Sequence, residues 1–320
     1  MAEHIDPFIV AMEEGFRERL DQSAKASQAQ GLDQSGTQMI AKNDTNRDPA
    51  RMTLANVQNG GTRLLPRTLL YGIDGIGKST FASQSPNPIF IPTEDGASGI
   101  HVPQFPLCES WEDVLACLRS LCREEHQYKT VVLDSADWAQ SLAIEHIVAR
   151  DFVGDMQAFD SYGRGYKLLM QEWLKLLSAL DFTRRRMGME VILISHAVIR
   201  TFKNPSGDDY DRYQSNLIDT PSTSVWAKTK EWADIVLFAN YEVVVRKDTA
   251  KSSKGKAILK AGKGGGRVLH ASPSAAWDAK VRAGWELPEK FPLSQEEFRK
   301  HIINTVGDVN EEEVTHEIQS

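Results

Sequence analysis

The sequence predicts an α/β fold: a mostly parallel sheet flanked by helices, with antiparallel additions on its C-terminal side. Two observations carry this. From Thr68 to Phe238 short apolar runs alternate with amphipathic helical patterns, which is how strands and crossover helices alternate in parallel sheets. The first such run ends in Gly72-Ile-Asp-Gly-Ile-Gly-Lys-Ser-Thr80, a glycine-rich loop that joins a strand to a helix.

That loop fits G-x-x-x-x-G-K-[ST], the phosphate-binding pattern. Thr68 to Tyr71 read as the buried strand before it, and Lys78 opens the helix after it. Gly72, Gly75 and Gly77 allow a tight turn that aims N–H groups inward, with Ile73, Asp74 and Ile76 between them. The helix N-terminus adds its positive dipole end. Lys78 is placed to reach the β- and γ-phosphates of ATP. Ser79 is placed to ligate Mg²⁺, with Thr80 beside it.

The remaining strands follow in order. Ile89 to Ile91 form a second one, with Thr93, Glu94 and Asp95 at its carboxyl end, where open α/β sheets bind ligands. Ser110 caps a helix whose apolar stripe runs from Trp111 to Cys122. Thr130 to Ser135 form a third strand ending in Asp134, a carboxylate suited to helping Ser79 hold Mg²⁺. Residues 151–165 read as a loop holding Phe152, Phe159, Tyr162 and Arg164. A long helix follows and ends in Arg184-Arg-Arg186. Val191 to Ser195 form the fourth strand, with His196 at its tip as either a structural histidine or a γ-phosphate sensor. Residues 200–224 read as a long polar loop with Arg200, Lys203, Tyr210, Arg212 and Tyr213. Ala233 to Ala239 form the fifth strand. Val243–Arg246, Ala257–Lys260 and Arg267–His270 read as short antiparallel additions, and Gln295 to Ile303 as a last helix.

Composition sets the bounds. A chain of 320 residues, 41% hydrophobic and 25% charged, supports a full α/β core with appendages. A net charge of −7 excludes a surface coated in nucleic acid and leaves only local basic patches for such contact. Cys108, Cys117 and Cys122 cannot all pair, which implies a reducing, cytoplasmic compartment. No stretch is apolar enough to span a membrane, and the acidic N-terminus does not read as a signal peptide. Three regions result: an extension over 1–60, an ATPase domain over 61–293, and a short helix with an acidic tail over 294–320. Within the extension, His4 to Leu20 read as a helix that binds a partner or packs on its own domain. Residues 21–62 read mostly as a linker.

Taken together, Gly72–Thr80, Thr93-Glu-Asp-Gly96, Asp134, Tyr162-Gly-Arg-Gly-Tyr166, His196 and Glu231-Trp-Ala-Asp-Ile-Val-Leu237 resemble the RecA-like P-loop NTPase core. The resemblance is to the phage-type AAA-domain ATPases, RecA/RadA-related proteins linked to single-strand annealing and recombination. It spans about residues 62–293. It implies Mg-ATP hydrolysis, single-stranded DNA as partner, and a homo-oligomeric ring or filament. It also implies that Glu94 activates the attacking water, with Asp95 as competitor. Lys280-Val-Arg282 resembles a Lys-Asn-Arg motif whose basic residues reach a neighbouring subunit's site. Here the motif lacks its following aromatic residue, and Arg267 is a rival for that role. Two other functions fit the same loop: a remodelling or loading factor without DNA contact, and a small-molecule kinase.

Overall fold

The computed structural model describes residues 7–29, 57, 64–96, 99–242 and 266–302, and of 19–29 the backbone alone. Chain order is α1 (Pro7–Ala29), β1 (Arg67–Gly72), α2 (Lys78–Ser83), β2 (Pro88–Pro92), α3 (Trp111–Arg123), β3 (Thr130–Asp134) and α4 (Ala136–Asp151). Then come α5 (Met156–Asp160), α6 (Arg164–Met187), β4 (Glu190–Phe202), β5 (Tyr210–Ser215), α7 (Val225–Trp232), β6 (Ile235–Tyr241), β7 (Arg267–His270), β8 (Lys280–Val281) and β9 (Lys290–Pro292). A further helix covers 295–302.

One sheet organises these elements, in the order β2-β3-β4-β1-β6-β7-β9. The strands from β2 to β6 pair in parallel, and β7, β8 and β9 join antiparallel, as the sequence predicts. The strand of the glycine loop and the strand ending in Asp134 are not neighbours, because β4 lies between them.

Both faces of the sheet are buried, which explains the continuous apolar runs. Along β1, Leu69 and Tyr71 enter one core with Trp111, Leu169, Trp173 and Leu176 of α3 and α6, whereas Leu70 enters the other with Phe81, Phe291 and Phe298. Helix α3 begins with a capping box: the Ser110 hydroxyl accepts from the Asp113 amide, and the Asp113 carboxylate accepts from the Ser110 amide. Cys108, Cys117 and Cys122 are buried free thiols.

Three sequence expectations change. Helix α1 packs on its own domain, with Met12 and Phe16 buried and Phe16 edge-on to Phe182 at 6.0 Å. It also continues to Ala29, because its Ala-, Lys- and Gln-containing second half propagates helix well. Residues 200–224 are not one long loop: β4 runs past His196 and pairs with β5 from Ala197↔Ser215 to Phe202↔Tyr210. Residues 151–165 contain α5 and a single 3₁₀ turn, Ser161–Gly163. The expected strands at Val243–Arg246 and Ala257–Lys260, most of the linker and the acidic tail lie outside the described residues.

At the head of β1 the backbones crowd. A Cβ added at Gly72 would sit 2.4 Å from the Ala239 carbonyl oxygen, whereas at Gly75, with φ 69°, nothing lies within 4 Å. Gly72→Ala must therefore push two strands apart and should cost about 1–3 kcal/mol. Gly75→Ala should cost only the left-handed penalty, about 1 kcal/mol. Urea unfolding of the two variants checks this ranking, and equal losses would contradict the crowding argument.

Candidate functional site

The carboxyl ends of the parallel strands bring the predicted residues to one edge of the sheet. The phosphate-type loop connects β1 to α2. Its Lys78 is buried, and its ammonium donates to the carbonyls of Gly72 at 3.0 Å and Ile73 at 3.2 Å. Burial lowers the Lys78 pKa, against the pull of Asp74, Asp134, Asp137 and Glu94 around it.

Asp134 ends β3 beneath this loop. Burial pushes its carboxyl pKa up, and the lowering pull of the Ser79 hydroxyl opposes that rise. This hydroxyl and this carboxylate are hard oxygen donors of the kind that fit Mg²⁺, directly or through water. Among the described residues no group of three or more His, Cys, Asp and Glu could hold a metal. A cation here would take its remaining ligands from phosphate oxygens and water.

Glu94 is positioned by Thr93. The Thr93 amide donates to the Asp134 carbonyl at 2.8 Å, and its hydroxyl donates to the Ser135 carbonyl at 2.7 Å. The Ser135 amide returns a bond to that hydroxyl at 2.9 Å, so the ends of β2 and β3 are stitched together. The Glu94 carboxylate then lies 3.7 Å from His196 Nε2, and that of Asp74 lies 4.0 Å away. Asp95 is exposed.

His196 is gripped from its other side by Asp137. One Asp137 oxygen accepts from the His196 amide at 3.0 Å and the other from Nδ1 at 2.8 Å. This pair raises the histidine pKa, chiefly through the hydrogen bond to Asp137. Burial works against the Asp137 carboxylate, yet its bonds to His196 leave its pKa lowered overall.

A family model described as an AAA domain matches residues 66–283, from the foot of β1 to just past β8. The chain belongs to this AAA-domain family. A curated relative, the SPbeta prophage-derived uncharacterized protein YorG of Bacillus subtilis (strain 168), is 23% identical over 133 residues. The match spans 40% of this chain and 40% of that relative's length. Among solved structures, the RadB recombinase is similar at a TM-score of 0.37 and 15% identity, covering 77% of this chain and 95% of the other.

Within the AAA-domain match, Lys280 and Arg282 stand apart from the loop. Lys280 Nζ donates to the carbonyls of Lys230, Glu231 and Ala233 at 2.6, 3.1 and 2.8 Å, closing the C-terminus of α7. Arg282 donates to the Glu231 carbonyl at 2.6 Å and lies 3.5 Å from Asp234. Both sit at the foot of the sheet, roughly 15–20 Å from the loop along β1. Within one chain they are not part of this site. Arg267, by contrast, is beside it, with its guanidinium donating to the Ile76 carbonyl at 3.3 Å.

Several aromatic and basic residues of the two sequence-read loops, the kinds that single-stranded DNA would need, are engaged within the chain. Phe159 is buried between Phe152 and Tyr166, at 5.7 and 5.1 Å, because Gly165 leaves room for its ring. Tyr213 stacks on Phe238 at 5.1 Å. Arg212 covers the Phe202 ring at 4.2 Å and reaches Asp278 at 3.5 Å. Arg200 donates to the Leu217 carbonyl at 2.9 Å, and Lys203 pairs with Asp209. Tyr162 is left 99% exposed.

Asp137 is the site residue that sequence reasoning missed. An acid in the first turn after a strand reads as a helix-dipole partner, and its spacing of three from Asp134 was the one available signal.

The Asp137–His196 pair makes stability depend on pH in a defined direction. A raised histidine pKa contributes fully below the unfolded value and fades as pH climbs through the folded one. A lowered aspartate pKa contributes above its unfolded value and is lost on acidification. Both act together at about pH 5–6. The stability gap between wild type and Asp137→Asn should be largest there and narrow by about pH 8. Urea unfolding across that range measures the gap, and a gap that widens with pH would refute the pairing.

Proposed function

We propose that this chain is a Mg-ATP-dependent ATPase of the RecA-like kind that acts on single-stranded DNA in phage-type recombination or replication. The observation that carries the ATPase part is convergence. Lys78, the Ser79–Asp134 pair and the Glu94–His196 contact come from three strand ends and from His196 within β4, and they meet where the parallel pairing of the sheet ends. Backbone amides of the loop would bind the phosphates, with Lys78 turning from its carbonyls to the β/γ oxygens. Mg²⁺ on Ser79 and Asp134 would neutralise phosphate charge. Glu94 would orient and deprotonate the attacking water, and His196, next to Glu94, would report the γ-phosphate. Lys280 and Arg282 would act only on a neighbouring subunit, in a ring or filament.

Support for the DNA part comes from placement. The connector with Tyr162 and the segment after β5 lie side by side: a Cβ on Gly163 would be 3.8 Å from the Ser222 hydroxyl. An exposed ring next to exposed Arg164 combines stacking with phosphate attraction. The prophage origin in the name of the relative agrees with this setting. One observation favours the remodelling or loading reading instead: Arg200, Arg212 and Lys203 already have partners within the chain.

Two measurements test the reading. Lys78→Ala should abolish nucleotide binding or turnover. Glu94→Gln should keep Mg-ATP binding while hydrolysis falls by a factor of about 10² or more. If Asp95→Asn gives that loss and Glu94→Gln does not, the base is misassigned. For DNA, single-strand affinity of the wild type should fall steeply with salt, and Tyr162→Ala together with Arg164→Ala should weaken it while ATP binding persists. No single-strand binding at any salt, with or without a non-hydrolysable ATP analogue, would leave the remodelling reading.

A further inference from the structure

Arg267 belongs to a strand that the glycine loop does not include, yet its side chain ends on that loop. Its backbone is fixed on both sides: it pairs with Tyr241 of β6, and its carbonyl accepts from the Leu293 amide at 2.9 Å. From there Nη1 donates to the Ile76 carbonyl at 3.3 Å. The same nitrogen would lie 2.7 Å from a Cβ built on Gly77, with Leu293 Cδ2 at 3.7 Å. Among the described residues no carboxylate pairs with this guanidinium, and the Ile76 carbonyl is its only acceptor.

The loop needs such a brace at this point. Gly77 stands at φ 104° as the N-cap of α2 and offers no side chain to cap it. Ile76 is fully buried among Leu70, Phe81 and Leu269, so its side chain is anchored while its carbonyl faces the guanidinium. A glycine at 77 is required twice, for the positive φ and for the space the guanidinium fills.

We propose that Arg267 is a positioning residue acting in cis: it clamps the Ile76–Gly77 turn of its own phosphate loop, so that the amides following that turn hold their inward, phosphate-facing order. This rests on the phosphate-loop reading above, and it replaces the sequence expectation of Arg267 as a finger for a neighbouring subunit. A brace of this kind serves bound ATP and transition state alike, so its loss should appear in affinity more than in turnover at saturation.

The test uses the full chain. Arg267→Met keeps the aliphatic stem against Leu293 but removes every donor. Its affinity for a fluorescent ATP analogue with Mg²⁺ should drop about tenfold or more, with kcat at saturating ATP changed much less. Arg267→Lys, which restores one donor and the charge, should recover most of that affinity. Nucleotide-free thermal unfolding of both variants checks that the fold is intact. Mixing Arg267→Met with Glu94→Gln subunits at subsaturating ATP should give no regain of hydrolysis, because the defect stays in the subunit that carries it. Wild-type affinity in Arg267→Met, or regained hydrolysis in the mixture, would overturn the cis brace alone. Failure of the wild type to bind ATP would overturn it together with the ATPase reading.

Discussion

The register of β1 is the constraint on which the site depends, and it is set at the end of the strand away from the site. Arg67 donates to Asp234 through its amide at 3.0 Å, its Nε at 3.0 Å and its Nη2 at 2.8 Å. Arg184 reaches the same carboxylate, and Trp232 lies under the Arg67 guanidinium at 5.1 Å. A buried charge satisfied this completely fits one register and is left unpaired in any other, at a cost of several kcal/mol. Five residues further on, Gly72 is thereby delivered opposite His196 on β4 and Ala239 on β6. A slip by one residue would invert the faces of Leu69, Leu70 and Tyr71 and carry the loop away from Glu94 and Asp134.

Electrostatics at the loop point to a cation as a condition for binding. Asp74, Glu94, Asp134 and Asp137 all act on Lys78, while Lys78 and Arg267 supply the positive charge nearby. A polyphosphate arriving alone would meet these carboxylates at close range in partly buried surroundings, where charge interactions are strong. A divalent ion held by Asp134 would offset that repulsion under the proposed function. The Asp137–His196 pair works in the same direction, since it spends one carboxylate on an imidazole before any phosphate approaches.

The fold was legible because the parallel strands are buried on both faces and so read as apolar runs. The phosphate loop, the Ser110 cap and the final helix were legible because glycine, capping residues and helical spacing are local signals. What escaped depends on distant partners. Past His196, β4 leaves the buried core, and only pairing with β5 shows that Val198, Arg200 and Phe202 continue a strand. Arg212 reads as a free cation until Asp278, 66 positions on, is seen beside it. Phe159 reads as a loop aromatic because its pocket is made by Gly165, whose absent side chain has no hydrophobic signature. Lys280 and Arg282 match a motif by type and spacing, but their place at the foot of the sheet follows from the antiparallel pairing of β8 with β6.

Helix α4 joins the site to the segment that packs beside exposed Tyr162. Asp137 and Gln140 are three residues apart and therefore share a helix face. Asp137 holds His196, and Gln140 Oε1 accepts from the Ile218 amide at 2.8 Å. Ile218 opens the segment whose Ser222 approaches Gly163, next to exposed Tyr162. The hairpin is tied at its base, because the Tyr213 amide donates to the Ala276 carbonyl, the Tyr213 carbonyl accepts from the Asp278 amide, and Arg212 adds a charge contact. His196 also reaches this segment directly, since its carbonyl accepts from the Asn216 amide at 2.8 Å. Contacts of this kind can shift an equilibrium only by the difference in free energy they make between two arrangements. The Asp137 bonds hold both the backbone and the ring of His196, so any second arrangement would have to break or keep them together.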